Sequence, residues 1–202
     1  DNVAQEIQQN VDTQEARRVY DSPSKGVLWG WEVPAYIWTK AIATGTFLMM
    51  AVWNFFNGGL ESSSEMAGLI TTLVFMGLTG GLLVKDIDRP DRFLYVLLRP
   101  QWKSWLVRGA YIITGFGGLV SLKLLDNYLQ LGLDWLWIPG IVFAGLGAVY
   151  TAFLFNQARA RDLWQTPIQS AIHMFVHAIM AGSVVMMIIA PDSSQWMTNI
   201  LY

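Results

Sequence analysis

The sequence predicts an all-α fold: a polytopic transmembrane bundle of five helices with its N-terminus in the cytoplasm. Three observations predict it: an apolar composition, five long apolar stretches, and basic residues concentrated in alternate connections. The 202 residues are 53% hydrophobic and 14% charged, with a mean hydropathy of +0.37, whereas soluble domains carry about 25% charged residues. The net charge of −2 gives no indication of nucleic-acid binding, and we expect the lipid bilayer as a partner and no nucleic acid.

A helix that crosses a bilayer needs about 20 mostly apolar residues. Five stretches qualify: 35–57, 66–84, 106–125, 135–155 and 168–190. Buried helices of a soluble protein are the alternative, but 202 residues supply too small a polar shell for five such runs. We therefore predict a cytoplasmic or interfacial N-terminal segment (1–34), a five-helix transmembrane domain (35–190) and an outer-side tail (191–202).

The basic residues set the predicted orientation, because cytoplasmic loops are enriched in Lys and Arg. If five helices alternate in direction, eleven of the thirteen basic residues fall on one side: Arg17, Arg18, Lys25, Lys85, Arg89, Arg92, Arg99, Lys103, Arg108, Arg159 and Arg161. Only Lys123 falls on the other side, and Lys40 lies within a span. We place the basic side in the cytoplasm and the chain in the inner (plasma) membrane.

Four polar side chains are predicted at one depth inside the membrane. Lys40, Tyr150, His173 and His177 lie about 7–14 Å from the cytoplasmic ends of their spans at 1.5 Å per residue. Ionisable groups at such positions are costly and often functional. Each also has a structural alternative: Lys40 extending to the headgroups, Tyr150 in an interfacial aromatic belt, and the histidines bonding backbone carbonyls. We expect no ionisable residue of comparable depth in the outer half.

The chemistry of this layer favours a quinone over a metal cofactor. His173 and His177 are one turn apart on one helix face and are the only histidines, so they cannot ligate one haem from both sides. The chain has no Cys and thus no thiolate ligand for an iron–sulfur cluster. We predict no metal site and no haem bound by this chain alone. His, Tyr and Lys can donate hydrogen bonds to quinone carbonyls, and histidine exchanges protons near neutral pH.

The connection between the second and third spans is predicted to form the cytoplasmic rim of this site. Asp86 and Asp88 are placed to pass protons to water, with Arg89, Arg92 and Arg108 beside them. Glycines in the second to fourth spans are expected to allow close helix packing around the cleft. They are Gly77, Gly80, Gly81, Gly115, Gly117, Gly118, Gly145 and Gly147.

The segment LLVKDIDRPDRFLYVLLRPQWKSWLVRGAYIITGF resembles the connection between the second and third helices of the polysulfide reductase membrane-subunit (NrfD-like) family. Its motif residues stand here as Asp86, Arg89, Pro90, Arg92, Phe93, Arg99, Pro100, Ser104 and Trp105. Asp88 replaces the customary Gly and adds charge at the rim. AYIWTKAIATGTFLM resembles the first helix of the family. GAVYTAFLFNQARARDLWQTP resembles the fourth helix and its exit, with matches at Tyr150, Thr151, Trp164 and Pro167.

The resemblance covers about residues 30–190 and implies an integral membrane subunit of a respiratory oxidoreductase complex. Such subunits bind menaquinone or ubiquinone, usually carry no haem, and dock an iron–sulfur subunit that exchanges electrons with a catalytic redox subunit. Family members typically have eight or more spans. The chain begins with Asp1 and has five predicted spans, so we expect a trimmed, split or partial chain with further membrane helices supplied elsewhere. No catalytic centre is expected within this chain.

Two other functions remain open from the sequence. A structural anchor or assembly subunit without a quinone site predicts that Lys40 and the two histidines serve separate helix contacts or face headgroups. Half of a transporter built from inverted repeats is the other, but the Arg-Pro connection is not repeated elsewhere in the chain.

Overall fold

The computed structural model describes residues 30–86, 101–157, 166–191 and 197–198, and every element in these ranges is helical. Within these ranges five long helices follow one another: α1 (Glu32–Asn57), α2 (Ser62–Asp86), α3 (Trp105–Leu129), α4 (Trp137–Gln157) and α5 (Pro167–Ile189). A short 3₁₀ turn (Asp134–Leu136) precedes α4. All five are long and apolar enough to cross a membrane, which confirms the predicted fold class. The orientation and the three-segment division remain predictions, and the N-terminal segment lies almost wholly outside the described residues.

Helix α1 occupies the centre of the bundle. It packs against α2, α4 and α5, while α3 packs against α2 and α4. In its apolar window 78% of the residues are buried, against 44% for α4 and 28% for each of the other three. A central helix touches protein rather than lipid on most sides, so it can carry Thr39, Lys40, Thr44 and Thr46 within the core.

The crossing of α1 and α5 depends on two glycines. A side chain at Gly45 would overlap the backbone of Ala178, and one at Gly182 would overlap the backbone of Gly45. The two helix backbones therefore touch directly, as small residues permit.

The expectation that the glycines of the second to fourth spans all mediate close packing is wrong for most of them. A methyl group would meet nothing within 4 Å at six of the eight: Gly77, Gly80, Gly81, Gly117, Gly118 and Gly145. Gly115 does lie against Phe143, and Gly147 lies against Thr44. The glycine-rich pattern on α2 leaves open space instead of a tight contact.

Aromatic packing joins α3 and α4 to α1. The Phe47 ring lies 5.3 Å from the Phe116 ring, edge to face, and 5.1 Å from the ring of Trp137. Gly140 leaves room for Phe47, because a side chain there would overlap its ring. Each such aromatic pair stabilises the fold by about 0.5–1.5 kcal/mol beyond burial alone.

The alternating helices give the bundle two ends. We call the end at Glu32, Asp86, Trp105, Gln157 and Pro167 the basic end, and the opposite end the acidic end. At the basic end Lys85 Nζ lies 3.4 Å from Glu32 Oε1, which links α1 to α2. The predicted polar layer lies within three turns of this end.

Candidate functional site

Lys40 is buried in the core, with 1% of its surface exposed. It lies eight residues after Glu32, or about 12 Å along α1. Its Nζ donates a hydrogen bond to the Ala148 carbonyl at 3.2 Å and another to Thr151 Oγ1, both on α4. The side chain therefore points inward rather than to the headgroups, and no described carboxylate lies within ion-pair distance of it.

A cleft beside Lys40 contains both histidines. This histidine cleft has a volume of about 120 Å³ and lies between α1, α4 and α5. Its lining residues are Ile37, Lys40, Ala41, Ala148, His173, Met174 and His177. The two imidazole rings lie 5.0 Å apart and are inclined by 40°. Three of the four residues predicted for the polar layer thus meet in one cavity.

Both histidines are exposed on one face of α5, together with Gln169 one turn before His173 and several apolar side chains. Ile172, Phe175 and Val176 are exposed beside them, and neither imidazole forms a hydrogen bond with a described residue. In hydrocarbon an unpaired polar group costs several kcal/mol. The histidine cleft therefore offers hydrogen-bonding groups that a ligand or another segment can satisfy.

Tyr150 lies in a different cavity. This tyrosine cleft, of about 240 Å³, opens between α2 and α3. The Tyr150 ring packs against Gly109, where a side chain would overlap it. The ring is 2% exposed, and its hydroxyl has no hydrogen-bond partner among the described residues. One wall of the cavity is formed by Gly77, Gly80 and Gly81, which have no side chains to fill the space.

Lys40 stands between the two clefts. Its Nζ is 4.6 Å from the centroid of the Tyr150 ring, a cation–π contact. The four residues predicted at one depth therefore line two separate cavities, and the contact between Lys40 and Tyr150 lies between them. Thr151 is the residue that depth alone did not single out, although it is three positions from Ala148 and so on the same α4 face.

The predicted rim is described only in part. Asp86 is the last residue of α2 and so lies at the basic end, while Asp88, Arg89 and Arg92 lie outside the described residues. Arg108 is exposed on α3, donates from Nε to the Trp102 carbonyl at 2.7 Å, and lines neither cleft. The proton-path role of these residues stays a prediction.

The acidic end holds a second ionic group, so the expectation of no comparably deep ionisable residue there is wrong. Lys123 is buried six residues before the end of α3, or about 9 Å in. Its Nζ lies 2.7 Å from Asp126, 3.3 Å from Asp134 and 3.7 Å from Glu65. It also lies 5.3 Å from the centre of the Trp137 ring. The i, i+3 spacing of Lys123 and Asp126 was the available sequence signal.

Lys123 ties several elements together. Glu65 belongs to the first turn of α2, Asp126 to α3, and Asp134 to the turn before α4. Asp126 also accepts a hydrogen bond from the Leu133 amide at 2.8 Å. We call this group the acidic-end cluster. It differs from Lys40 in having three carboxylates around one ammonium.

Comparison with known proteins decides the family. The sequence profile of the polysulphide reductase, NrfD family matches residues 21–193, most of the chain. The chain belongs to this family. NrfD proteins are membrane subunits of redox enzyme complexes linked to polysulfide and quinone, and the chain is a multi-pass membrane protein. No curated protein and no solved structure matches it. Within the described ranges, no three His, Asp or Glu side chains lie close enough to hold a metal ion.

Proposed function

We propose that this NrfD protein is the quinone-binding membrane subunit of a respiratory oxidoreductase complex. In this role it exchanges electrons between a menaquinone or ubiquinone pool and an iron–sulfur subunit. The observation that carries the proposal is the histidine cleft, in which Lys40, His173 and His177 meet at one depth. Membership of the NrfD family supports the class of complex.

The residues of the histidine cleft suit the head group of a quinone. A bound quinone supplies the redox chemistry and has two ring carbonyls that accept hydrogen bonds. Lys40 Nζ is fixed by Ala148 and Thr151 and keeps a third N–H, since an ammonium has three donors. The imidazoles of His173 and His177 lie across the same cavity and have no described partner. They are the groups we assign to hydrogen bonding and proton exchange.

Tyr150 acts on this site through Lys40. Its ring lies against the Lys40 ammonium from the tyrosine cleft, and cation–π contacts of a desolvated ammonium contribute about 2 kcal/mol. Because Tyr150 and the histidines line different cavities, we assign Tyr150 to positioning the amine rather than to direct contact with the same ring carbonyl.

A proton route to water completes the proposal. Asp86 ends α2 at the basic end, within three turns of the depth of Lys40. We propose that Asp86 and Asp88 exchange protons with the cytoplasm and that Arg89, Arg92 and Arg108 organise this rim.

The proposal requires partners. With no Cys, the chain has no thiolate ligands for a cluster, so electrons pass to an iron–sulfur subunit and from there to a catalytic redox subunit. Further membrane helices cover the exposed, histidine-bearing face of α5. We place the complex in the inner (plasma) membrane.

Quinone-linked turnover of the intact complex tests this function. His177→Ala should lower turnover by about 10²-fold to 10⁴-fold, the range for loss of a proton-transfer group. Electron transfer from the catalytic subunit to a soluble dye should stay unchanged. Ile188→Ala, an exposed position on the same helix, is the control. Unchanged quinone turnover in an assembled His177→Ala complex favours the structural anchor instead.

A further inference from the structure

A third cavity lies on the outside of the bundle, between α3 and α4. This α3–α4 groove has a volume of about 680 Å³, the largest of the cavities described here. It shares only Thr114 with the tyrosine cleft and no residue with the histidine cleft. Of the residues that line it, the proposed quinone function uses only Arg108, in the cytoplasmic rim.

The groove is apolar along almost its whole length, and Arg108 is the one charged residue among those that line it. Trp102, Trp105 and Arg108 line it at the basic end. Gly115 lies seven residues further along α3, or about 10 Å deeper, where it packs against Phe143, another residue that lines the groove. The two Trp residues at the basic end match the headgroup region, where Trp and Tyr are enriched, and the deeper part of the groove matches the depth of the acyl chains.

Arg108 places a positive charge at the basic end of the groove. Its Nε is held by the Trp102 carbonyl at 2.7 Å, and its guanidinium carbon lies 4.8 Å from the centre of the Trp105 ring. No described carboxylate forms an ion pair with it. Its two terminal nitrogens are therefore not committed to any described acceptor, and a guanidinium pairs readily with two oxygens of one phosphate.

We propose that the α3–α4 groove binds an anionic phospholipid, with its phosphate on Arg108 and an acyl chain against Gly115, Phe143 and Leu146. Basic pockets between transmembrane helices on the cytoplasmic side bind anionic headgroups, and the basic end is the predicted cytoplasmic side. An isoprenoid quinone fits less well, because the groove has a fixed cation at its head and no histidine to exchange protons. The proposal is independent of the histidine cleft.

Native mass spectrometry of the intact complex in nanodiscs of mixed phosphatidylglycerol and phosphatidylcholine tests this site. Wild type should retain phosphatidylglycerol on release from the nanodisc. Arg108→Gln should lower that retention by at least about tenfold, because it removes a charge-assisted hydrogen bond to the phosphate. Lys85→Gln removes an exposed cation from the same end and should retain the wild-type amount. Leu146→Trp fills the groove without changing charge and should lose the lipid; Ile112→Trp replaces it if that variant does not assemble.

Three results overturn the proposal. Equal retention in Arg108→Gln and Lys85→Gln shows that the charge acts through the general surface potential. Retention in an assembled groove-filled variant places the lipid elsewhere. Loss of a quinone rather than a phospholipid from that variant assigns the groove to the quinone. A His177→Ala complex with impaired turnover and normal phosphatidylglycerol retention separates this site from the quinone site.

Discussion

Two buried lysines in this chain have opposite surroundings. Lys40 is held by a carbonyl, a hydroxyl and an aromatic face, and no described carboxylate lies within ion-pair distance of it. Lys123 has three carboxylates within 4 Å. Burying an ammonium costs several kcal/mol unless it is paired. The uncompensated lysine is thus the candidate for ligand binding, and the compensated one is the candidate for stability.

Replacing Lys40 should impair function more than folding. Lys40→Met removes a buried charge without leaving a carboxylate unpaired, so the thermal midpoint of the complex should stay the same or rise. Quinone-linked turnover should fall by at least about tenfold, through loss of the hydrogen bond to the quinone. Both are measured on the purified complex, with Lys85→Met as the exposed control. Normal turnover in Lys40→Met contradicts the assigned role.

Replacing Lys123 should have the reverse effect. Lys123→Met leaves the buried Asp126 and Glu65 without their cation, and breaking a buried ion pair costs about 3–5 kcal/mol. The measurement is the thermal midpoint and yield of the complex, which should both fall. Turnover per assembled complex should change little, because the cluster lies at the opposite end from the histidine cleft. The double variant Lys123→Met/Glu65→Gln should recover part of the loss; no recovery argues against the pairing.

The depth of Lys40 and His177 along their helices could be predicted from the sequence. The depth of the acidic-end cluster could not. Lys40 and His177 lie well inside their apolar windows, so counting residues from the predicted ends placed them correctly. Glu65 and Asp126 lie at or beyond the edges of theirs, yet α2 begins at Ser62 and α3 runs to Leu129. Glu65 and Asp126 can lie within the bundle because both pair with Lys123. Helices α2 and α3 therefore extend beyond their apolar stretches. A linear window does not detect such pairing.

At the scale of elements, the α1–α5 crossing positions the site. Gly45 and Gly182 bring these backbones into contact, and the same two helices carry Lys40 and the histidines. The sequence pattern predicted close contacts at many glycines but not at these two. Which glycine meets another backbone depends on the crossing angle and the rotation of each helix, and neither is encoded in apolar spacing.

A single methyl group should test this crossing. Gly182→Ala adds a Cβ that overlaps the backbone of Gly45, so α1 and α5 must separate. The assembled yield and thermal midpoint should fall clearly, because backbone atoms cannot move aside as a side chain does. Gly117→Ala is the matched control, since its Cβ would meet nothing within 4 Å. Equal stability of the two variants contradicts the described crossing.

For the whole molecule, the testable feature is the direction of the five helices. The chain contains no Cys, so single cysteines report position without background. Gln101→Cys lies just before α3 at the basic end, and Ser63→Cys lies in the first turn of α2 at the acidic end; both are exposed. A membrane-impermeant maleimide added outside intact cells should label the Ser63 variant and spare the Gln101 variant. The reverse pattern overturns the orientation derived from Lys and Arg.

The number and order of the spans followed from apolar length, which is why the five-helix prediction holds. The division of the polar layer into two clefts did not follow from it. Depth fixes the position of a residue along a helix axis but not the direction of its side chain around that axis. Tyr150 and His177 therefore share a layer while they line different cavities.

The most direct test of the quinone site is covalent mapping with a photoreactive quinone on the intact, purified complex. After illumination and digestion, the label should lie on residues of the histidine cleft, namely Ile37, His173, Met174 and His177. It should be displaced by excess unlabelled quinone and lost in His177→Ala. Displaceable label confined to the tyrosine cleft or the α3–α4 groove, or none on this chain, would contradict the account.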